Sequence, residues 1–285
     1  MSNILEIKNL NKKYEDFSLS DVSFAVPQGY IMGFIGPNGA GKTTTIKSIL
    51  SMIRPDSGEI TLLGKKVPSN DVKNEIGVVM DLPFYVDEWN VNDVESAVAP
   101  FYSNWNKDAF TKHLHDFNLS RTKKVQELSR GMKVKLMLAV ALSHNARLLI
   151  LDEPTSGLDP VARDELIELL SEFVSDANKG VLFSTHITTD LEKIADYITF
   201  IINGKIEFTG EKDALLESFI LIKGGPSELT AEQKKNVIGY REHNVGFEGM
   251  IKTANRNQFP SRVSFEKISL DEIIIYMNKE AKNHE

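Results

Sequence analysis

Apolar and polar positions alternate over ILEIKNL near the start of the chain, the period of a half-buried strand, and SLSDVSFAVP reads as a second strand closed by a turn at PQG. YIMGFIG is a short apolar run that ends on glycine. TTTIKSILSMI follows with helical spacing and stops before the turn signal RPDSG. EITLLG and EIGVVM are further strand candidates. From about Leu82 to His144 the pattern becomes mainly helical, and both tryptophans, Trp89 and Trp105, lie there. LLILDEP is a continuous apolar strand that ends in two acids. Asp159 and Pro160 then supply an N-cap and a first-turn proline. The helix they open should bury Leu166, Ile167, Leu169, Leu170, Phe173 and Val174, with Gly180 closing it. VLFSTH and YITFIIN are buried strands again. Short apolar strands alternating with helices predict a parallel α/β core.

From Leu216 onward the pattern loosens. FILIKGG, NVIGYRE and VGFEGMIK predict short strands and SLDEIIIYMNKEA a last helix, together a small appended α+β domain over residues 216–285.

Composition narrows the function classes. With 41% hydrophobic and 26% charged residues, the chain has the material for a real core. A net charge of −7 speaks against binding nucleic acid by bulk electrostatics. The absence of cysteine excludes disulfides, thiol catalysis and Cys-ligated zinc. The N-terminus lacks a signal-peptide core, and no apolar run reaches the roughly 20 residues needed to span a bilayer. The chain is therefore expected to be soluble by itself, while free to dock on a membrane partner.

Candidate chemistry begins at GPNGAGKTT, Gly36–Thr44. Gly36, Gly39 and Gly41 let the backbone turn tightly and point successive N–H groups at phosphate oxygens. Pro37, Asn38, Ala40 and Thr44 complete the loop. Lys42 adds charge on the β and γ phosphates, Thr43 offers a hydroxyl to Mg²⁺, and the following helix aims its positive end at the anion. The predicted ligand is ATP with Mg²⁺. Asp152 stands at the end of a buried strand, where a parallel sheet delivers residues to a ligand crevice, and can hold Mg²⁺ through water. Glu153, one step on, could polarise an attacking water. His186 follows another apolar strand and could bond the γ-phosphate.

The order GPNGAGKTT, LSRGMK, LLILDEP, SGLDP, STH resembles the nucleotide-binding subunit of ABC transporters over residues 1–215. The resemblance implies a phosphate-loop ATPase core with an antiparallel β subdomain and an inserted helical subdomain, here about residues 82–144. It assigns Tyr14 to adenine stacking. Ser129 and Gly131 become the signature that closes over ATP on a second ATPase subunit, and Asp159 the link between the two sites. It makes Glu153, His186 and Lys42 the catalytic set, and Thr43 and Asp152 the metal contacts. It also implies a separate membrane-spanning partner, hence a place on the cytoplasmic face of the cell membrane. The single module most resembles bacterial exporters of antimicrobial or amphipathic peptides, such as the phenol-soluble modulins.

Three positions depart from the family pattern. The signature is usually LSGGQ, and Arg130 and Met132 replace Gly and Gln. Two settings are open for Arg130: beside the phosphate of the other subunit, or in solvent. The position after EIGVVM is usually Gln and is Asp81 here. Its charged, shorter side chain is a candidate for Mg²⁺ contact through a bridging water rather than directly. Seven aromatics lie between Pro83 and Phe117, and Phe84, Tyr85 and Trp89 are the candidates for a groove that takes a membrane subunit's helix. The alternative class is a soluble ABC ATPase acting on ribosomes or nucleic acid. Its members carry two modules or a long coiled coil, which this sequence lacks.

Overall fold

The computed structural model describes residues 2–81 and 84–283. Met1, Leu82, Pro83, His284 and Glu285 lie outside the described residues, and with them the predicted first residues of the helical segment and the last two of the chain.

Strands β1 (Asn3–Lys13) and β2 (Ser18–Pro27) pair antiparallel and bury their apolar positions. β3 (Ile31–Ile35) is buried at every position and runs into the glycine loop, after which α1 (Lys42–Ile49) starts. β4 (Ser57–Leu62) and β5 (Lys65–Lys66) complete a four-stranded sheet in the order β2-β1-β4-β5. The short α2 (Asn70–Lys73) leads to β6 (Ile76–Val79).

The helical segment holds α3 (Val91–Val98), α4 (Lys107–Asp116) and α5 (Arg130–Leu142). Each starts on a side-chain cap: Asn90, Asn106 and Ser129 accept from backbone N–H groups of the first turn. Val91, Val94, Phe110, Leu114, Val125 and Leu136 form a core of their own, with Trp89 and Trp105 packed against it.

The chain then returns to the main sheet with β7 (Leu148–Asp152), α6 (Pro160–Phe173), β8 (Gly180–Thr185), α7 (Thr188–Ile194), β9 (Tyr197–Ile202) and β10 (Lys205–Glu211). The order is β10-β9-β3-β8-β7-β6, with β10 antiparallel to β9 and the other pairings parallel. β7 and β8 are buried throughout, as strands covered on both faces require. Asp159 caps α6 as expected, but Gly180 does not close that helix. α6 ends at Phe173, a turn built on Asp176 follows, and Gly180 opens β8. A Cβ on Gly180 would come within 2.9 Å of Ile4, so this glycine serves close packing of β8 on β1.

After α8 (Lys212–Ser218), the strands β11 (Phe219–Gly224), β12 (Ile238–His243), β13 (Gly246–Lys252) and β14 (Ser264–Glu266) form an antiparallel sheet in the order β12-β13-β11-β14. α9 (Ala231–Lys235) sits between β11 and β12, giving the start of a split β-α-β-β arrangement. One face of this sheet packs Ile222, Phe247 and Ile251 with Leu229, Val237 and Phe259. Leu221 and Met250 instead join Leu270, Ile273 and Tyr276 of α10 (Leu270–Asn283), in the same cluster as Leu191 and Ile194 of α7. The last 70 residues thus have one core of their own and share another with α7.

Candidate phosphate-binding site

In the main sheet β3, β8 and β7 are adjacent and parallel, so their C-terminal ends open on one crevice. β3 delivers the glycine loop, β7 delivers Asp152 and Glu153, and β8 delivers His186. Sequence separation of more than 100 residues between the loop and the acids is closed by strand order alone.

The loop is shaped for close approach. Gly41 adopts φ 112°, and a Cβ on Gly36 would fall 2.3 Å from the Ile201 carbonyl oxygen, so no side chain fits there. The first N–H groups of a helix have no carbonyl to bond within it, so those at the start of α1 can bond an anion. Lys42 is buried, and its Nζ donates to the Gly36 carbonyl at 2.6 Å and lies 3.3 Å from Glu153 Oε1. The ammonium is shared between backbone oxygens and this carboxylate.

Asp152 is buried. It accepts from Thr43 Oγ1 at 2.9 Å and from Ser184 Oγ at 2.6 Å. Among the described residues no lysine or arginine forms an ion pair with it. A buried carboxylate served by two hydroxyls and no cation suits a divalent ion beside it, because an uncompensated buried charge is costly. Thr43 and Asp152 are the residues that would hold Mg²⁺ together with phosphate oxygens.

Glu153 has φ 51°, an uncommon left-handed setting for a non-glycine residue. Its N–H is fixed by the Ser184 carbonyl at 3.0 Å, with the Ser184 hydroxyl at 3.2 Å. The bend turns the side chain out of the strand line toward the crevice. There Oε1 faces Lys42, while Oε2 lies 2.7 Å from His186 Nδ1 and accepts from the His186 N–H at 3.3 Å. The cavity over the loop, about 420 Å³, is lined by Lys42, Thr43, Asp81, Glu153, Ser156 and His186, among others.

The structure brings Gly36–Thr44, Asp152, Glu153, His186 and Asp81 together. It does not bring Ser129 or Gly131 to the loop of the same chain. Ser129 is the exposed N-cap of α5, and Gly131 lines a larger cleft of about 680 Å³ between α4, α5 and α6 that contains none of the loop residues. Asp159 is likewise exposed, at the start of α6, with its carboxyl held below the usual aspartate range by the N–H groups of Ala162 and Val161. Tyr14 lies outside the cavity lining, whereas Phe17, at the other end of the same turn, lines it. Ser184 and Phe17 are absent from the sequence reading. A serine near the end of an otherwise apolar strand was the available signal for the first; nothing in the pattern separates Phe17 from Tyr14.

Two of the three departures from the family pattern meet. Arg130 does not stand free in solvent: its guanidinium donates to Asp81 of the same chain. Asp81 therefore enters the cavity already paired.

The groove trio also needs correction. Tyr85 packs against both the main and helical cores, and Trp89 against the helical core. Phe84 alone of the three is exposed, at 71%. It lines an apolar groove of about 290 Å³ with Tyr102, Met52 and Met80.

Residues 19–156 match the family model described as ABC transporter. The bacitracin transport ATP-binding protein BcrA of Bacillus licheniformis is 36% identical over 211 residues, covering 72% of this chain and 69% of that protein. The Nod factor export ATP-binding protein I of Burkholderia lata is 36% identical over 224 residues, covering 76% and 73%. A solved structure of an ATP binding subunit of an ABC transporter superposes with TM-score 0.68 at 30% identity, covering 74% of this chain and 91% of that one. The chain belongs to the ABC transporter ATP-binding family, whose members are ATPases coupled to transport. No described helix is long and apolar enough to cross a membrane.

Proposed function

We propose that this chain is the ATP-hydrolysing subunit of an exporter, pairing with a second ATPase subunit on ATP and driving a separate membrane-spanning subunit. The observation that carries this reading is Glu153, held between Lys42 and His186 at the mouth of the glycine loop.

In this reading the loop N–H groups and Lys42 bind the phosphates and orient the terminal one for in-line attack. Mg²⁺, held by Thr43 and Asp152, supplies charge stabilisation when bound. Glu153 orients the attacking water and takes its proton. His186 fixes the Glu153 carboxylate and turns toward the γ-phosphate when it is present. Phe17 is a second candidate, beside Tyr14, for contact with the nucleotide. Ser129, exposed, and Gly131, half-buried, at the positive end of α5, close over the loop of the other subunit, and Asp159 links the two sites. ATP favours the closed pair because it binds that state better than the open one. The groove at Phe84 and Tyr102 receives a helix of the membrane subunit.

The cargo is proposed to be an amphipathic or antimicrobial peptide, phenol-soluble modulins included. The resemblance and a relative named for bacitracin transport support this cargo. A relative of equal identity is named for Nod factor export, which fits a cargo chosen on the membrane subunit rather than here.

The test is purification of the full chain and measurement of phosphate release from MgATP, with Lys42→Ala as control, followed by capture from cell extract. Turnover abolished by Lys42→Ala, and co-purification with a polytopic membrane protein, support the reading. Turnover with co-sedimentation on ribosomes supports the soluble alternative instead.

A further inference from the structure

Arg130 is the first residue of α5, directly after the Ser129 cap. Its stem lies on Gly157, where a Cβ would come within 2.9 Å of Arg130 Cδ and 3.2 Å of Nε. Nε is buried and has no hydrogen-bond partner among the described residues. Nη2 donates to Asp81 Oδ1. One side chain therefore spans three segments: the start of α5, the loop between Glu153 and Asp159, and the residue two places beyond β6. Asp81 itself lines the cavity over Lys42, Thr43, Glu153 and His186.

We propose that Arg130 and Asp81 are positioning residues acting as one unit, which pins the first turn of α5 to the rim of the phosphate cavity and so sets how readily that turn closes on nucleotide. The claim about closure rests on the ATPase reading; the claim about pinning does not. The physical basis is geometric. A guanidinium wedged on Gly157 has few other rotamers, so the bond to Asp81 costs less ordering than one between two free side chains. Gly157 is part of the device, since any side chain there would lift Arg130 off the loop. A neutral pair of residues at 81 and 130 would leave the first turn of α5 held by packing and by the contact of Lys123 Nζ with Met132 Sδ. The pair is partly exposed, so its strength falls with salt.

The test uses the full chain with Asp81→Asn, Arg130→Gln, the double variant, and the exchanged pair Asp81→Lys with Arg130→Glu. Amide hydrogen exchange over residues 129–134 is measured at low and high salt, beside the MgATP concentration giving half-maximal turnover. Either single change should raise exchange in that turn about fivefold at low salt, as loss of about 1 kcal/mol implies. The double variant should be no worse than either single one, and the exchanged pair should recover part of the protection. The half-maximal MgATP concentration should rise by a similar factor. Unchanged exchange, or single effects that multiply in the double variant, overturns the proposal. Failure of the ATPase reading is seen separately, as turnover that survives Lys42→Ala, and leaves the exchange comparison valid.

Discussion

Nδ1 of His186 lies 2.7 Å from Oε2 of Glu153, so the residue after β8 holds the residue after β7. The other Glu153 oxygen faces Lys42 at 3.3 Å. Removing the histidine leaves the carboxylate with the lysine alone and draws it toward the loop, away from where water must be activated. His186→Ala should lower the maximal rate of ATP hydrolysis by about 10²-fold, the lower range for a misplaced general base. Because His186 is exposed, the melting temperature should stay near that of the parent. Steady-state kinetics with thermal melting checks both.

Thr43 and Asp152 hold each other at 2.9 Å, with Ser184 on the second Asp152 oxygen. Asp152→Asn retains the shape and removes the charge that would attract Mg²⁺. The Mg²⁺ concentration for half-maximal turnover should rise at least tenfold, the factor that about 1.4 kcal/mol of lost binding represents. A Mg²⁺ titration at fixed ATP reads this directly.

Phe84 and Trp89 lie five residues apart yet have opposite settings. Phe84→Ala removes an exposed ring from the apolar groove and should leave melting unchanged while weakening recovery of a membrane-bound complex. Trp89→Ala opens the core of the helical segment and should destabilise it by about 3 kcal/mol, the lower end for large aromatic truncations. Melting curves beside co-purification yield separate the two effects.

The cap of α6 predicts a pH dependence. Asp159 has a folded pKa below its ordinary value, chiefly because the N–H of Ala162, then that of Val161, bonds the charged form. Its contribution is complete above the unfolded value of about 3.9 and is lost as pH falls through the lower folded value. Thermal melting followed from pH 6 into acid should show a loss in the parent that Asp159→Asn lacks, since asparagine caps without titrating.

Much of the site was legible because it rests on local rules. The glycine loop needs a strand before it and a helix after it, and YIMGFIG and TTTIKSIL supply both. LLILDEP and VLFSTH are continuous apolar runs because β7 and β8 are covered on both faces, which also locates Asp152, Glu153 and His186 at strand ends. What failed depends on which way side chains face. Tyr85 and Trp89 look like Phe84 in composition, and only packing shows that they turn inward. Gly180 reads as a helix stop, but its use is close approach to Ile4. Arg130 and Asp81 are separated by 49 positions and each breaks the family pattern singly, so their pairing has no local signal.

Glu153→Gln is the most direct measurement of the central claim. The amide keeps the side chain's size and the bent backbone, and it cannot take a proton from water. The variant should bind MgATP like the parent, hydrolyse it about 10²–10⁴-fold more slowly, and accumulate as an ATP-dependent dimer in sedimentation analysis. Turnover near the parent's rate would contradict Glu153 as the catalytic base, whatever the dimer does.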